Sequence, residues 1–381
     1  MRILIVVRSL NWQGGGVDVA AQLASSLELA GHEVVLLSLS DQVLERRLHA
    51  DPKPSSLVFL SCRGFLDGIR RLRQFLRTAG RFDIGHAIGD SAFSRLVLAS
   101  TINSKRPLSL VASLHSRECA VFGRLTGAKG RVFNRVAQFC YGRADGVIAD
   151  ASALAAEFHC MTSMQHIPVR TIRNPVAVTL REPSEVREAR NDTPIRVIGI
   201  GALHHRKDFF TLLNSIAILR KSIECDCVIL GDGPLLPELK RERRRLGLDD
   251  VVTFVGYQSD VDSYLDASDV FVLSSLSEGN PLVLVRALAR GLAVVATDCP
   301  YGPRETLDDG RLGELVPIRA PQHMANAIAR VAANPPSVPE LLERANLFSP
   351  TLVANSYIDF FYETLVLKAT PDTPRNSVSP T

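Results

Sequence analysis

Apolar and polar positions follow two rhythms along this chain. Short runs of consecutive apolar residues, in RILIVV, HEVVLLSLS, LSLVASLH and DGVIAD, read as strands buried on both faces. Between them lie longer stretches with apolar residues at helical spacing. In VDVAAQLASSLELAG, Ala20, Leu23, Leu27 and Ala30 share one face. This alternation breaks at 174–194, which is rich in proline and charge and carries no apolar period. It restarts at IRVIGIG and continues through CDCVILG, VVTFVG, DVFVLSS and LAVVAT, with helical patterns at DFFTLLNSIAILRK, LLPELKRERRRLG and DVDSYLDAS. Strand–helix alternation of this kind implies parallel sheets with helices on both faces. The predicted fold is therefore α/β, with two doubly wound, Rossmann-like domains facing a cleft. The pattern assigns 1–175 to a first domain, 176–194 to a linker and 195–350 to a second domain. Residues 351–368 form a last helix packing back toward the first domain, and 369–381 a disordered polar tail.

Length and composition agree with this division. The 381 residues suit two cores better than one, and 46% apolar with 22% charged residues is an ordinary globular balance. No apolar run approaches the roughly 20 residues of a membrane-spanning helix. The apolar start is short and lacks a small-residue cleavage site behind it, so it reads as a strand rather than a signal peptide, and a cytoplasmic chain is expected. Seven cysteines, an odd number with no CxxC pair, point to reduced buried thiols rather than to a metal or disulfide site.

Charge is unevenly spread. Residues 1–180 carry 22 Lys/Arg against 13 Asp/Glu, or +9, and residues 181–381 carry 22 against 27, or −5. The basic half calls for an anionic partner.

Four junctions carry candidate chemistry. In IGIGALHHRKDFFTLL a strand ends at Gly201, and His204, His205, Arg206 and Lys207 precede a helix capped by Asp208. Free amides at a helix start, with cations beside them, suit a diphosphate; a solvated basic loop fits the same residues. In SSLSEGNPLVLVRALARG, Glu278 precedes Gly279, Asn280, and a helix with Pro281 in its first turn, so the amides near Leu282 and Val283 face outward. Glu278 reads either as a carboxylate complementing the helix dipole or as an acceptor for sugar hydroxyls. DCPYGPRETL repeats the theme with Gly302, Pro303 and Glu305. In the first half, NWQGGGVDVAA places three glycines before a helix without GxGxxG spacing, and His115 ends the strand LSLVASLH at the edge facing the cleft.

Taken in order, GGGVDVAAQLASSLELAGHEV, IGIGALHHRKDF, VILGDGP, VTFVGY, DVFVLSSLSEGNPLVLVRALARG and AVVATDCPYGPRE resemble the pattern of glycosyltransferase family 4, retaining transferases of the GT-B fold. The resemblance covers nearly the whole chain and is strongest from 195 to 320. It implies that the second domain binds a nucleotide sugar, a UDP-sugar or GDP-mannose, and the first a sugar or lipid-linked acceptor. It implies catalytic roles for His115 against the donor sugar, Lys207 at the leaving phosphate and Glu278 at the sugar. Gly15, Gly16, Gly201 and Arg206 would meet the diphosphate. Gly279, Asn280, Pro281 and Leu282 would hold the sugar, Gly256 and Tyr257 would border the base, and Arg286 would stand at the ribose. No metal or other cofactor is implied.

Two positions depart from the family pattern. Ala202 follows Gly201 where the family commonly has arginine, and Arg286 stands where a second glutamate holds the ribose. Arg206 can replace the first cation, and Arg286 can donate hydrogen bonds or pair with Glu305. The function implied is sugar transfer from a nucleotide to an acceptor hydroxyl with retention, in cell-surface polysaccharide or glycolipid synthesis. The alternative is a catalytically impaired relative that binds sugar nucleotides or serves as a partner subunit. An epimerase on the same fold would need an acid–base set that the sequence does not display.

Two basic stretches remain. In 63–81, six arginines accompany a face of Phe65, Leu66, Ile69, Leu72, Phe75 and Leu76, and 117–143 is likewise basic and amphipathic. Sheet-packing helices with solvated arginines account for both; peripheral contact with anionic membrane lipid accounts for them too. The run KRERRR at 240–245 reads as a solvated helix face, and no recognised nucleic-acid-binding module is present.

Overall fold

The computed structural model describes the chain except for residues 11–14, 41–53, 102–107, 116–119, 124, 183–193 and 370–381. The chain divides into two compact units. One comprises Met1–Ala177 together with the stretch from Ser349 onward, and the other Val178–Phe348. The tail expected after 368 lies outside the described residues, apart from Ala369 at the end of the last helix.

The first unit is built from β1 (Arg2–Val7), α1 (Gly15–Leu29), β2 (Glu33–Ser38), β3 (Leu57–Phe59), α2 (Phe65–Thr78), β4 (Ile84–Ile88), α3 (Asp90–Ser100), β5 (Ser109–Leu114), α4 (Gly127–Tyr141), β6 (Gly146–Ala149), α5 (Ser152–His159) and β7 (Val169–Thr171). Its seven strands are all parallel, in the order β3-β2-β1-β4-β5-β6-β7. A central parallel strand is covered on both faces, which explains why Ile3, Leu4, Ile5 and Val6 of β1 are all fully buried. Ile3 and Ile5 share a core with Ala20, Leu23 and Leu27 of α1.

The second unit contains β8 (Ile195–Ile200), α6 (Phe209–Leu219), β9 (Cys225–Leu230), α7 (Leu236–Arg245), β10 (Val252–Gly256), α8 (Asp262–Asp266), β11 (Val270–Leu273), α9 (Leu282–Ala289), β12 (Ala293–Thr297), α10 (Pro303–Thr306), β13 (Glu314–Val316), α11 (Pro321–Ala333) and α12 (Val338–Asn346). Its six parallel strands run β10-β9-β8-β11-β12-β13. Val197, Ile229, Val272 and Val295 of the sheet pack with Leu212 and Ile216 of α6 and Met324 and Ile328 of α11.

The last helix, α13 (Pro350–Ala369), belongs to the first unit although the whole second unit intervenes in sequence. Val353, Tyr357 and Phe361 join the core that holds β1 and α1. Gly146 of β6 makes this docking possible: a Cβ there would stand 2.7 Å from Thr364 Cγ2 and 2.8 Å from a ring carbon of Phe360. Lys368 at the end of α13 pairs with Asp145 at 2.7 Å and donates to the Leu108 carbonyl.

Along the described part of the predicted linker, Arg181 donates its amide to Ala289 and pairs with Asp266, and Thr179 accepts from Arg290. The structure corrects three expectations. The 117–143 stretch is not one helix. A 3-10 turn at Ala120–Phe122 precedes α4, and positive φ at Gly123, just after the turn, and at Gly127, the first residue of α4, separates the two helical segments. On α2, Leu66 is not on the packed face and stands 78% exposed, whereas Leu72 is buried. Residues 65, 66, 69, 72, 75 and 76 span too wide an arc for one seam. The cysteines are not uniformly buried, since Cys160 is exposed; Cys119 lies outside the described residues.

Under α13 sits a fully buried histidine. His86 of β4 has no accessible surface, stacks edge-on against Tyr357 and lies within hydrogen-bond reach of Ser113 through Nε2. Burial, with the nearby His115 as a second cause, brings its pKa down from 6.5 to about 3, so the ring folds neutral. The unfolded state then binds one more proton than the native state between those values. The stabilisation is complete above pH 6.5 and declines as pH falls toward 3, by up to about 1.4 kcal/mol per pH unit. His86→Gln should flatten that acid limb relative to wild type, as read from urea melts between pH 7 and pH 4; parallel limbs would refute the assignment.

Candidate functional site

The order of the second sheet places β8 at the point where chain progression reverses: β9 and β10 lie to one side and β11 to β13 to the other. In open α/β sheets, ligands bind outside the C-terminal ends of the strands at such a reversal. Two of the charged residues picked from sequence stand on the loops leaving β8 and β11. Lys207 follows β8 and Glu278 follows β11.

Their side chains meet. Lys207 Nζ is 2.6 Å from Glu278 Oε1, and the two are 14% and 5% exposed. Arg206 reaches the other carboxylate oxygen at 3.4 Å and donates to the Ser277 carbonyl at 3.2 Å. The Ser275 hydroxyl also donates to Glu278 Oε1. Backbone ties hold the two loops in register: Leu276 donates its amide to Arg206, and the Ser274 hydroxyl donates to the Lys207 carbonyl. A carboxylate thus holds two cations at the sheet edge, and the three side chains together carry one net positive charge. Gly201 lies beside the aliphatic stem of Lys207, whose carbons stand 3.3–3.5 Å from the place a Cβ would occupy.

The rest of the edge is shaped by backbone. Pro281 is the N-cap of α9, so the amides of Leu282 and its successors open the helix. The Oδ1 of Asn280 beside it is buried without a hydrogen-bond partner among the described residues. Gly302 takes φ +89°, and a Cβ on it would stand 2.4 Å from the Gly279 carbonyl oxygen, so only glycine lets these loops close on each other. Cys299, buried between them, has its thiol pKa raised to about 11, first by burial and then by the charge of Glu278. Asp208 differs from the expected cap. A 3-10 turn at His205–Lys207 leads into it, it takes left-handed φ +43°, and its side chain accepts from the Thr211 hydroxyl rather than from an amide.

Other residues chosen from sequence stand apart from this pair. Gly256 closes β10 and its carbonyl accepts from Gly231, which places it and the exposed Tyr257 on the same sheet edge two strands from β8. Arg286, on α9, is held by Asp262 at 3.1 Å and not by Glu305, because α8 presents its first carboxylate to that face. In the first unit, Gly15 and Gly16 form the opening turn of α1 rather than a loop before it, and their amides are among those the helix leaves without internal partners. His115 follows β5 and its Nδ1 lies 3.2 Å from Asp150.

Sequence reading missed Ser274, Ser275, Thr297, Asp150 and Asn174. Thr297 donates its hydroxyl to the Ser275 carbonyl and so locks the loop that carries Glu278. Ser274, Ser275, Thr297 and Asp150 stand at or just after strand ends, and Asn174 lies in the loop after β7, where small polar residues are common for many reasons, and no single-residue signal separates them.

Comparison with known proteins agrees with this geometry. The family model described as Glycosyltransferase Family 4 matches residues 13–180, and that described as Glycosyl transferases group 1 matches residues 194–334. The lipopolysaccharide core biosynthesis glycosyltransferase LpsE of Rhizobium meliloti is 32% identical over 181 residues, covering 45% of this chain and 52% of that protein. The amylovoran biosynthesis glycosyltransferase AmsD of Erwinia amylovora is 25% identical over 329 residues, covering 81% of this chain and 84% of its own length. The chain spans about half the length, or less, of the first curated relatives it matches. Among solved structures, Anabaena Alr3699/HepE in complex with UDP and glucose superposes with a TM-score of 0.75 at 21% identity, over 95% of this chain and 100% of that one. That likeness shows the fold, two parallel-sheet α/β domains of the GT-B type. With both family models matching in order and the paired lysine and glutamate at the sheet's reversal point, the chain belongs to glycosyltransferase family 4.

Proposed function

We propose that this protein transfers a sugar from a nucleotide sugar to an acceptor hydroxyl with retention of configuration, in the synthesis of a cell-surface polysaccharide or lipopolysaccharide. The observation that carries the reading is the Lys207–Glu278 pair at the β8/β11 reversal, with Arg206 on its rim. The names of AmsD and LpsE support the glycan class, and the UDP and glucose bound by HepE support the donor class.

The chemistry follows from charge. Breaking the bond between sugar and diphosphate leaves negative charge on the phosphate, and a preorganised cation lowers that cost. Lys207 and Arg206 supply it, the second standing in for the arginine absent at Ala202. Glu278, already holding both cations, keeps them fixed before the ligand arrives and offers its carboxylate to sugar hydroxyls. The amides opening α9 add partial positive charge at the same edge. The engagement of Arg286 by Asp262 keeps that charge reversal away from Glu278, which speaks against a relative that binds without turnover.

Lys207→Ala should lower kcat for release of nucleoside diphosphate by about 10²-fold or more, and Arg206→Ala by about tenfold. Both are read by coupled assay across UDP-glucose, UDP-galactose, UDP-N-acetylglucosamine and GDP-mannose with a glycan or lipid acceptor. Turnover should be unchanged by EDTA, because these cations carry the role a metal would. No turnover across the panel, or full activity in Lys207→Ala, would sink the reading.

We propose further that α4 meets an anionic membrane surface carrying the acceptor. Its sequence contains Lys129, Arg131 and Arg135 and no acidic residue, and Val132 and Phe139 stand 63% and 51% exposed among them. The Phe65–Phe133 ring contact brings the start of α2, with exposed Leu66, beside it. Cations interleaved with apolar side chains on one exposed face suit lipid headgroups above acyl chains. No helix among the described residues is long and apolar enough to cross a membrane. The protein should sediment with phosphatidylglycerol vesicles at low salt, less so at 0.5 M, and Phe139→Glu should weaken binding severalfold; equal partition to neutral vesicles would contradict the charge argument.

A further inference from the structure

Helix α9 is held at both ends. Pro281 caps its start, behind the loop that carries Glu278, and its first amides open there. Its far end is stapled to residues 179–181, just after the chain enters the second unit at Val178. Arg181 donates its amide to the Ala289 carbonyl at 3.0 Å, one of the last carbonyls of the helix, which have no partner within it. Arg290, the C-cap, donates through Nη1 to the Thr179 carbonyl at 3.1 Å.

One carboxylate closes the staple. Asp266 is the last residue of α8. Its Oδ1 accepts from Arg290 Nε at 2.6 Å and its Oδ2 from Arg290 Nη2, and Arg181 Nη1 lies 3.3 Å from the same Oδ1. The two arginine side chains are 14% and 13% exposed, so the cluster is largely withdrawn from water. One turn earlier Asp262 accepts from Arg286 at 3.1 Å, so α8 meets α9 in two rungs, each helix supplying residues four apart. Two guanidiniums at the C-terminal end of α9 also complement the negative end of its dipole. Charges this withdrawn are costly unless paired, and removing the carboxylate would set two cations against each other.

We propose that Asp266 is a positioning residue for the site at the other end of α9. By joining Arg290 to Arg181 it ties residues 179–181 to the helix, and so sets where the opening amides of α9 and the Glu278 loop stand. Asp266 touches no ligand in this role. It acts through Arg290 and along the about 12 Å of an eight-residue helix. Treating the site it serves as the donor's rests on the function proposed above.

Amide hydrogen exchange of the whole protein, read by mass spectrometry, tests this without turnover. Asp266→Asn keeps the size and removes the charge. It should speed exchange in peptides from α9 and from 274–281 by about tenfold or more, while peptides from α11 and β8 exchange as in wild type. Arg181→Gln, which leaves Asp266 paired with Arg290, should show the same local change more weakly. Unchanged exchange in α9, or acceleration spread equally over the second unit as a general loss of stability would give, overturns the positioning role. Should Asp266→Asn not fold, Arg181→Gln decides by the same criterion. With whichever donor of the panel above turns over, Asp266→Asn should raise the donor KM severalfold and change kcat by less than about twofold, because the α9 amides hold the donor in ground and transition states alike. A fall in kcat at unchanged KM overturns the proposal. Absence of turnover across the panel counts against the transfer reading and leaves the exchange pattern to decide on Asp266. Wild-type exchange in the variants removes the role of Asp266 and leaves the transfer reading standing.

Discussion

All strand pairs in both sheets are parallel, and that constraint governs the rest of this protein. Parallel neighbours cannot be joined by a tight turn, so each connection must cross a face of the sheet, usually as a helix. The crossovers deliver every strand's C-terminal end to one edge and bury both faces. Where the winding reverses, at β8 and β11, the loops that carry Lys207 and Glu278 meet at that edge.

That ion pair is poorly explained as a stabilising device. Moving a lysine and a glutamate out of water costs several kcal/mol per ion, and their attraction recovers this only with good geometry and further hydrogen bonds. Here the geometry is present: Ser275 donates to the carboxylate, Arg206 shares it, and Thr297 and Ser274 lock the supporting loops. Such an arrangement amounts to preorganisation. Lys207 is held largely out of water before any ligand arrives, while Arg206 keeps half its side chain in solvent. Removing Glu278 would strand Lys207, whereas removing Lys207 would leave Glu278 with Arg206 and Ser275.

Each unit organises a sheet edge around a carboxylate. The second gathers cations and helix amides around Glu278; the first gathers His115 and Asn174 around Asp150. The first unit is also completed by a helix from the far end of the chain. α13 packs Tyr357 and Phe361 over His86 and depends on the absence of a side chain at Gly146. Its core is thus finished only after the whole second unit has been passed in sequence.

Much of this was legible from the residues in order. Consecutive apolar runs such as RILIVV can only be covered strands, and helical spacing between them forces parallel crossovers, so the fold class follows from local periodicity. His115 was legible because it directly follows a strand, and Lys207 and Glu278 because they stand in loops between a strand and the next helix, at the edge a parallel sheet exposes. Their partners were not. Arg286 meets Asp262 rather than Glu305, and Asp150 meets both His115 and Asn174, because side chains that pair across strands are separated by tens of residues. Likewise Leu66 looks like a core position by spacing and is exposed, since a helix's buried arc is set by what packs on it. The chain's periodicity determined which elements form and which of their ends carry chemistry. Only the tertiary structure decided which charges meet, since an ion pair or a hydrogen bond depends on distances of about 3 Å that no linear spacing encodes.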